Sequence, residues 1–139
     1  MNIRRQAQVP EVTAESFDRQ VTHSSVPVLV NFQTPWSTQM GPLLSHVAEA
    51  FAGRLRVVQV DTSADPELAA RFKIRAVPTM LIFNKGVPVE FIVGTVPSRF
   101  VFETVCKALR ATYLPKGRQT REASSWPSNW QLAFDATSI

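Results

Sequence analysis

Continuous apolar runs mark the predicted strands of this chain. Runs without polar alternation are typical of strands buried on both faces of a sheet. They occur at 27–32, 56–60 and 79–83. The segment 87–93 follows the turn sequence Asn84-Lys85-Gly86, so it is expected to pair with the third run as a hairpin. A short edge strand is also predicted at 6–12, where Pro10 limits the pairing.

Segments with helical spacing of apolar residues lie between and after these strands. Apolar side chains three and four positions apart form one face of a helix. This pattern predicts helices at 13–23, 41–52, 65–72 and 99–112. Thr13 or Ser16 is expected to cap the first helix and Asp65 the third, because short polar side chains accept hydrogen bonds from the free N–H groups there.

The order of these elements predicts one α/β domain followed by an extension. Helices between the early strands imply parallel crossovers, and the late hairpin adds antiparallel strands. We therefore expect an α/β fold in which a mixed, mainly parallel sheet has helices on both faces. The composition changes after Leu114, which places the domain at 1–114. A C-terminal extension, a linker followed by an aromatic-containing tail, is expected at 115–139.

The composition excludes several kinds of site. The chain has 139 residues and one cysteine. It therefore has no internal disulfide, no C-x-x-C dithiol, no zinc finger and no cysteine-ligated iron–sulfur cluster of its own. His23 and His46 are too few for an all-histidine metal site, and we expect no metal and no cofactor. No apolar run approaches the roughly 20 residues that cross a bilayer, so no membrane partner is expected.

Charge is spread unevenly along the chain. The net charge is +4, with ten basic and four acidic residues in 71–139. This excess permits a nucleic-acid partner, but few aromatic side chains lie among the basic ones to stack on bases, so this is the weakest hypothesis. No apolar stretch follows Arg4-Arg5, so no export signal is expected and the predicted location is cytoplasmic.

Several stretches together resemble the thioredoxin family. Residues 28–32 are similar to its central strand, and Trp36 to the tryptophan before its redox motif. Residues 74–83 closely resemble the family's cis-proline strand, with Pro78 as the proline. The turn at 84–86 and the pair Val93-Gly94 match the hairpin that follows. The resemblance covers about residues 6–112 and implies a thioredoxin-like three-layer α/β/α sandwich.

The loop after Trp36 departs from the family pattern. The family has Trp-Cys-Gly-Pro-Cys at a helix N-terminus, where the helix dipole stabilises the thiolate that attacks a disulfide. Here the residues after Trp36 are Ser37, Thr38, Gln39 and Met40. The loop is also about three residues shorter before Pro42, which matches the proline of the family's helix. Because a serine hydroxyl cannot exchange with a disulfide, we expect no thiol–disulfide exchange at this loop.

Amide side chains replace a charged pair that the resemblance implies. Asn31 stands where the family has a buried aspartate, and Gln59 where it often has a lysine. Gln33 replaces a common tryptophan. Without thiol chemistry a buried charge only costs stability, and neutral amides remove that cost while keeping hydrogen bonds possible.

The resemblance also implies a binding groove. In the family the residue before the cis-proline presents its backbone to an extended chain, and Val77 would do so here by strand addition. The expected groove residues are Trp36, Ser37, Thr38, Gln39, Met40, Val77, Pro78, Thr79, Val93 and Gly94. Trp36 and Met40 are expected to be exposed. The leading hypothesis is a redox-inactive protein, adaptor or chaperone-like, whose partner is another protein or an extended peptide.

Two questions remain open from the sequence. The alternative function is a residual thiol oxidoreductase or redox-homeostasis protein that relies on Cys106, which lies well inside the last predicted helix. The tail residues Trp126, Trp130 and Phe134 either dock on their own domain, bind a partner or remain disordered. The sequence does not indicate an oligomeric state.

Overall fold

Seven regular elements and one π-helical turn make up the described part of the chain. The computed structural model describes residues 9–36 and 40–111, the last of these by its backbone alone. The π-helical turn spans Asp18–Thr22. The other elements are β1 (Val28–Gln33), α1 (Gly41–Ala50), β2 (Arg56–Asp61), α2 (Pro66–Arg71), β3 (Thr79–Asn84), β4 (Val87–Val93) and α3 (Ser98–Ala111).

The strands form one mixed sheet in the order β2-β1-β3-β4. β1 is parallel to β2 and antiparallel to β3, and β3 forms an antiparallel hairpin with β4. A single parallel bridge joins Glu11 to Gln59 beside β2. The expected edge strand is thus present as one bridge over residues 9–12, and residues 6–8 lie outside the described range.

The expectation of a mainly parallel sheet is wrong. One named strand pair is parallel and two are antiparallel in the described sheet. The reason is the length of α2, whose six residues span about 9 Å, whereas β2 spans about 20 Å. A helix that short does not return the chain to the other end of the sheet. β3 therefore begins at the end where β2 finishes and runs antiparallel to it.

Helices cover both faces of the sheet, which confirms the three-layer arrangement. On one face α1 and α3 pack their buried side chains against alternate strand residues. On the other face lie Phe17, directly before the π-helical turn, and Phe72, directly after α2, whose ring centroids are 5.2 Å apart. Phe72 also makes an edge-to-face contact with Phe83 of β3 at 5.3 Å. β1 and β3 are therefore buried on both faces, as their continuous apolar runs indicate.

The first predicted helix, 13–23, is irregular. Residues 14–16 form turns and Phe17 is helical, and they lead into the π-helical segment Asp18–Thr22, where the N–H of His23 donates to the carbonyl oxygen of Asp18 over 2.9 Å. At the start, the Ser16 hydroxyl accepts a hydrogen bond from the N–H of Thr13. This bond has the form of one half of a capping box, so it satisfies a free N–H group where the predicted helix begins.

The Asp65 cap is also corrected. Asp65 occupies the N-cap position of α2, but its side chain makes no capping hydrogen bond. Its carboxylate instead accepts a 3.3 Å bond from the N–H of Ala14, so it ties the N-terminal segment to α2. The helix itself begins at Pro66, where a missing N–H costs nothing.

Candidate functional site

Three segments of the chain meet at one end of the sheet. β1 finishes there, and its Phe32 pairs with Thr79, the first residue of β3. Thr79 in turn pairs with Val93, the last residue of β4. The loop that holds Trp36, the turn before β3 and the start of α3 therefore lie at the same end, called the Trp36 end below. The start of β1 defines the opposite end, called the Pro27 end.

The large exposed hydrophobic side chains of the described residues all belong to the Trp36 end. Trp36 is 76% exposed, Phe100 is 49% exposed and Val77 is 36% exposed. Scattered apolar residues on a surface need no explanation, so it is their common location at one end of the sheet that makes these three candidates for an interaction site. The expectation that Trp36 is exposed is met.

The backbone before Pro78 is accessible to a partner. The Val77–Pro78 peptide bond is cis. The carbonyl oxygen of Pro78 accepts a 2.8 Å hydrogen bond from the N–H of Gly94, which fixes β4 against this turn. Within residues 9–36 and 40–111, no hydrogen bond engages the backbone of Val77. Its N–H and carbonyl are the kind of groups that an added strand pairs with.

Three of the expected groove residues are buried instead. Met40 is 5% exposed and packs in the core under α1, so its predicted exposure is wrong. It precedes the first residue of α1, a position from which its side chain turns inward. Thr79 is fully buried, and its hydroxyl donates a 2.6 Å bond to the carbonyl oxygen of Ala76. Thr79 and the buried Pro78 therefore hold the turn in shape, whereas Val77 is the exposed residue of the turn.

The remaining groove residues are partly accessible or undescribed. Val93 and Gly94 are half-buried. Gly94 has a φ of 85°, a value that other residues rarely adopt, at the point where the chain leaves β4. Ser37, Thr38 and Gln39 lie outside the described residues.

Phe100 is a site residue that the sequence reasoning missed. It lies in the first turn of α3, two positions after Ser98. The buried face of α3 includes Val101, Val105 and Ala108, and Phe100 does not belong to it. A large aromatic residue outside the apolar face of an amphipathic helix is the signal that could have identified it.

The three amide residues form one hydrogen-bonded chain beneath this end. Asn31 Nδ2 donates to Gln33 Oε1 over 2.7 Å. Gln33 Nε2 donates to Gln59 Oε1 over 2.9 Å, and Gln59 Nε2 donates to the carbonyl oxygen of Val9 over 3.0 Å. Asn31 and Gln59 are register partners of β1 and β2, but their side chains are linked through Gln33. The three departures from the family pattern are therefore one structural unit.

This amide chain reaches the core of the protein. Asn31 is 0% exposed, and its Oδ1 has no hydrogen-bond partner among the described residues. A neutral amide tolerates such a position at a cost of about 1–3 kcal/mol, whereas an unpaired carboxylate costs far more. The position of Asn31 therefore favours a neutral side chain over a charged one.

An open cavity of about 380 Å³ lies beside the Trp36 loop. Gln33 and Gln59 form part of its lining, and the carboxyl groups of Glu11 and Asp61 stand at its walls. The hydroxyl of Ser63 donates a 2.6 Å hydrogen bond to Asp61, and this bond lowers the pKa of the Asp61 carboxyl. Partial burial opposes the shift, and the backbone N–H groups of Ser63 and Ala64 add to it. The cavity thus offers amides and a firmly ionised carboxylate.

Cys106 lies away from this cavity. It is exposed on α3 and lines a separate cavity at the Pro27 end. The tail residues Trp126, Trp130 and Phe134 and the predicted boundary after Leu114 lie outside the described residues. In the described ranges, no group of three or more His, Cys, Asp or Glu side chains could hold a metal ion. No helix there is long and apolar enough to cross a membrane.

Comparison with known proteins identifies the family. A family model described as thioredoxin matches residues 8–113. Thioredoxin 1 of Nostoc sp. is 36% identical over 102 residues, which cover 71% of this chain and 95% of that protein. The chain belongs to the thioredoxin family. Thioredoxin of Pyropia yezoensis is 34% identical over 102 residues, or 71% of this chain and 95% of that protein. The M-type chloroplastic thioredoxin of Chlamydomonas reinhardtii is 34% identical over 106 residues, or 74% of this chain and 76% of that protein.

Membership of the thioredoxin family confirms the resemblance read from the strand sequences. It also confirms the thioredoxin-like α/β fold, since the matched range contains every described element. The single cysteine of this thioredoxin-family chain is Cys106, so the chain has no C-x-x-C motif. Its function therefore cannot be carried over from the names of its relatives and is argued from the site.

Proposed function

We propose that this thioredoxin-like protein binds an extended segment of another protein at the Trp36 end and does not exchange disulfides there. The observation that carries the proposal is the location of Trp36, Val77 and Phe100, the exposed large hydrophobic residues of the described chain, on segments that meet at one end of the sheet. Aromatic side chains of this kind dominate the energetics of protein interfaces. The role is that of an adaptor or a chaperone-like module.

The backbone of Val77 supports binding of an extended chain in particular. Its N–H and carbonyl groups enter no hydrogen bond within the described ranges, and its side chain is partly exposed. An extended segment that pairs with these groups would place its side chains alternately toward and away from the protein surface. Trp36 and Phe100 would then contact the side chains on either flank.

The cavity beside the Trp36 loop supports a preference within this class of partner. Its walls carry the carboxyl groups of Glu11 and Asp61 and the amides of Gln33 and Gln59. Such groups pair with a lysine or arginine side chain. We therefore expect the bound segment to combine an apolar or aromatic residue with a basic one.

The absence of thiol exchange is supported by two features. The sequence has no cysteine in the loop, and Cys106 lies at the other end of the molecule. The amide chain of Asn31, Gln33 and Gln59 replaces the buried charge that serves proton transfer in a redox-active member of the family. Both features remove parts of the same chemistry, as expected if the fold is kept for binding.

The proposal is tested with immobilised random peptides of twelve residues, probed with the full chain. The strongest binder is then synthesised, and its affinity is measured by fluorescence anisotropy. Trp36→Ala and Phe100→Ala are each expected to weaken binding about tenfold or more, because buried aromatic anchors contribute 1–2 kcal/mol or more. Val77→Asp is expected to weaken it as well, since a charge would face the apolar residues of the segment.

Ala70→Asp provides the matched control, because Ala70 is exposed on α2, on the other face of the sheet. It is expected to leave the affinity unchanged. Reduction of insulin by dithiothreitol should proceed at its uncatalysed rate in the presence of the chain. The proposal is wrong if no peptide binds, if binding survives both aromatic substitutions, or if insulin reduction is accelerated.

A further inference from the structure

A second cavity lies at the Pro27 end, and the proposed peptide site does not use it. It has a volume of about 510 Å³ and opens between the end of α1 and the last turns of α3. Its lining includes Pro27, Phe51, Leu109, Cys106, Arg54 and Arg110. A cleft of this size is in the range that holds a drug-sized group.

The chemistry of the cavity is apolar at the base and basic at the rim. Phe51 is buried, and the guanidinium of Arg54 lies 5.4 Å from its ring centroid. Arg110 stands in the last turn of α3. Within the described ranges, neither arginine forms an ion pair with a carboxylate. The cavity is therefore suited to an aromatic group that has a negative charge next to it.

The chain leaves α3 at the edge of this cavity. α3 ends at Ala111, directly after Arg110, and residues 112–139 follow. From 123 onward the side chains carry one charge, that of Asp135. The three aromatic residues of this stretch, Trp126, Trp130 and Phe134, are spaced four apart, and Asp135 directly follows the last of them.

We propose that the cavity at the Pro27 end is the docking site of the chain's own C-terminal segment, with aromatic side chains from 126–134 in the cavity and Asp135 beside Arg54 and Arg110. The aromatic residues of the segment match the apolar lining of the cavity, and the negative charge of Asp135 matches the positive charges of the two arginines. Burial of a tryptophan removes 150–250 Å² of surface from water, which provides the main favourable term. This site is at the opposite end from Trp36, so it does not depend on the proposed function.

The length of the tether favours the chain's own segment over a second copy. About fifteen residues separate Ala111 from Trp126, and a flexible linker of that length would have a mean span of roughly 20 Å. That span is comparable with the radius of the domain, and it gives an effective concentration of the order of millimolar. A contact too weak to join two molecules at micromolar concentration is therefore largely formed within one chain.

The position of Cys106 makes the test direct, because the one thiol of the chain lines this cavity. The rate of Cys106 modification by a bulky maleimide is measured on the full-length protein. A docked segment covers the thiol, so the triple variant Trp126→Ala, Trp130→Ala, Phe134→Ala is expected to react about tenfold faster. The variant Ser125→Ala, Ser128→Ala, Gln131→Ala should keep the slow rate of the unchanged protein.

A displaced cysteine controls for general effects on reactivity. In the double variant Cys106→Ser, Ala70→Cys the thiol lies at an exposed position of α2. Removal of the three aromatic residues should leave the rate of its modification by the maleimide unchanged. The proposal is overturned if loss of the aromatics leaves the Cys106 rate unchanged. It is also overturned if the protection disappears on dilution, since a second copy would then be the occupant.

The charge pairing has a separate test. Trp36→Phe leaves Trp126 and Trp130 as the tryptophans of the chain, and acrylamide quenching then reports their burial. Arg54→Glu with Arg110→Glu should increase quenching, and Asp135→Arg added to that pair should reverse the increase. Equal quenching in all three proteins would contradict the placement of Asp135.

Discussion

At the scale of single residues, the amide chain under the Trp36 end joins three positions at which this chain departs from the family pattern. Asn31, Gln33 and Gln59 each lie at a position where the family has another type of side chain, and the structure joins all three by hydrogen bonds. The substitutions at Asn31 and Gln59 could be interpreted from the sequence. The hydrogen bonds that join them through Gln33 could not be predicted, because the pairing of two strands does not fix the direction in which each side chain points.

Asn31→Asp tests whether this site tolerates charge. The introduced carboxyl would be fully buried with no cation beside it in the described residues, so its pKa in the folded state should lie well above the ordinary value of about 3.9. The stability loss should be absent below about pH 4, grow as the pH rises, and level off above the raised pKa at about 2–4 kcal/mol.

The measurement is chemical denaturation of both proteins at several pH values. Asn31→Leu is the control, since it removes the hydrogen bond to Gln33 without adding a titratable group. Its stability loss should not vary with pH. A loss for Asn31→Asp that is also independent of pH would show that the carboxyl is solvated.

The pKa of Asp61 is shifted downward, opposite to the upward shift expected for Asn31→Asp. The Ser63 hydroxyl lowers its pKa in the folded protein, so its ionised form contributes stability above the unfolded value of about 3.9. This contribution is lost as the pH falls through the lower folded-state pKa. Ser63→Ala should raise the Asp61 pKa toward its ordinary value, as measured by NMR titration of the carboxyl carbon.

Ser25→Ala serves as the control for that titration, since Ser25 is exposed and distant in sequence from Asp61. It should leave the Asp61 titration unchanged. If Ser63→Ala also leaves it unchanged, the backbone N–H groups of Ser63 and Ala64 must account for the low pKa.

At the scale of elements, the strands, the hairpin turn and the regular helices could be predicted from the sequence, and the π-helical segment could not. The ends of β1, β3 and β4 lie within a residue of their predicted positions, because apolar runs bounded by turn residues define them. The helix expected at 13–23 is a run of turns that leads into the π-helical segment Asp18–Thr22, and periodicity does not distinguish such an irregular helix from a regular one. The direction of β3 depends on the length of α2. The spacing of apolar residues predicts that a helix is present there, but it does not predict whether the next strand runs parallel or antiparallel.

The hairpin turn between β3 and β4 carries a prediction of its own. Lys85 and Gly86 have φ values of 55° and 81°, as a two-residue turn of the left-handed type requires. Gly86→Ala adds a Cβ in that region, and a loss of about 1–2 kcal/mol in the free energy of unfolding is expected from urea denaturation. Lys85→Asn is the control and should cost nothing, because asparagine tolerates this conformation. Equal effects of the two changes would contradict the turn geometry.

At the scale of the whole molecule, the two ends of the sheet differ in chemistry. The Trp36 end carries the exposed apolar residues and a Val77 backbone without hydrogen bonds in the described ranges, whereas the Pro27 end carries a cavity lined in part by Cys106 and two arginines. The resemblance to thioredoxin placed the expected groove at the Trp36 end, and it predicted the exposure of Trp36. It did not predict that Met40 is buried or that Phe100 is exposed, because both depend on how the ends of α1 and α3 pack.

The central claim is that an extended peptide binds at the Trp36 end, and NMR mapping tests it most directly. The full-length protein, labelled with ¹⁵N, is titrated with the strongest peptide from the immobilised library. Binding there should shift the amide signals of Val77, Gly94 and Phe100 and the indole signal of Trp36, and it should protect the Val77 amide from hydrogen exchange. Shifts confined to α2 or to the Pro27 end, with Val77 unprotected, would contradict it.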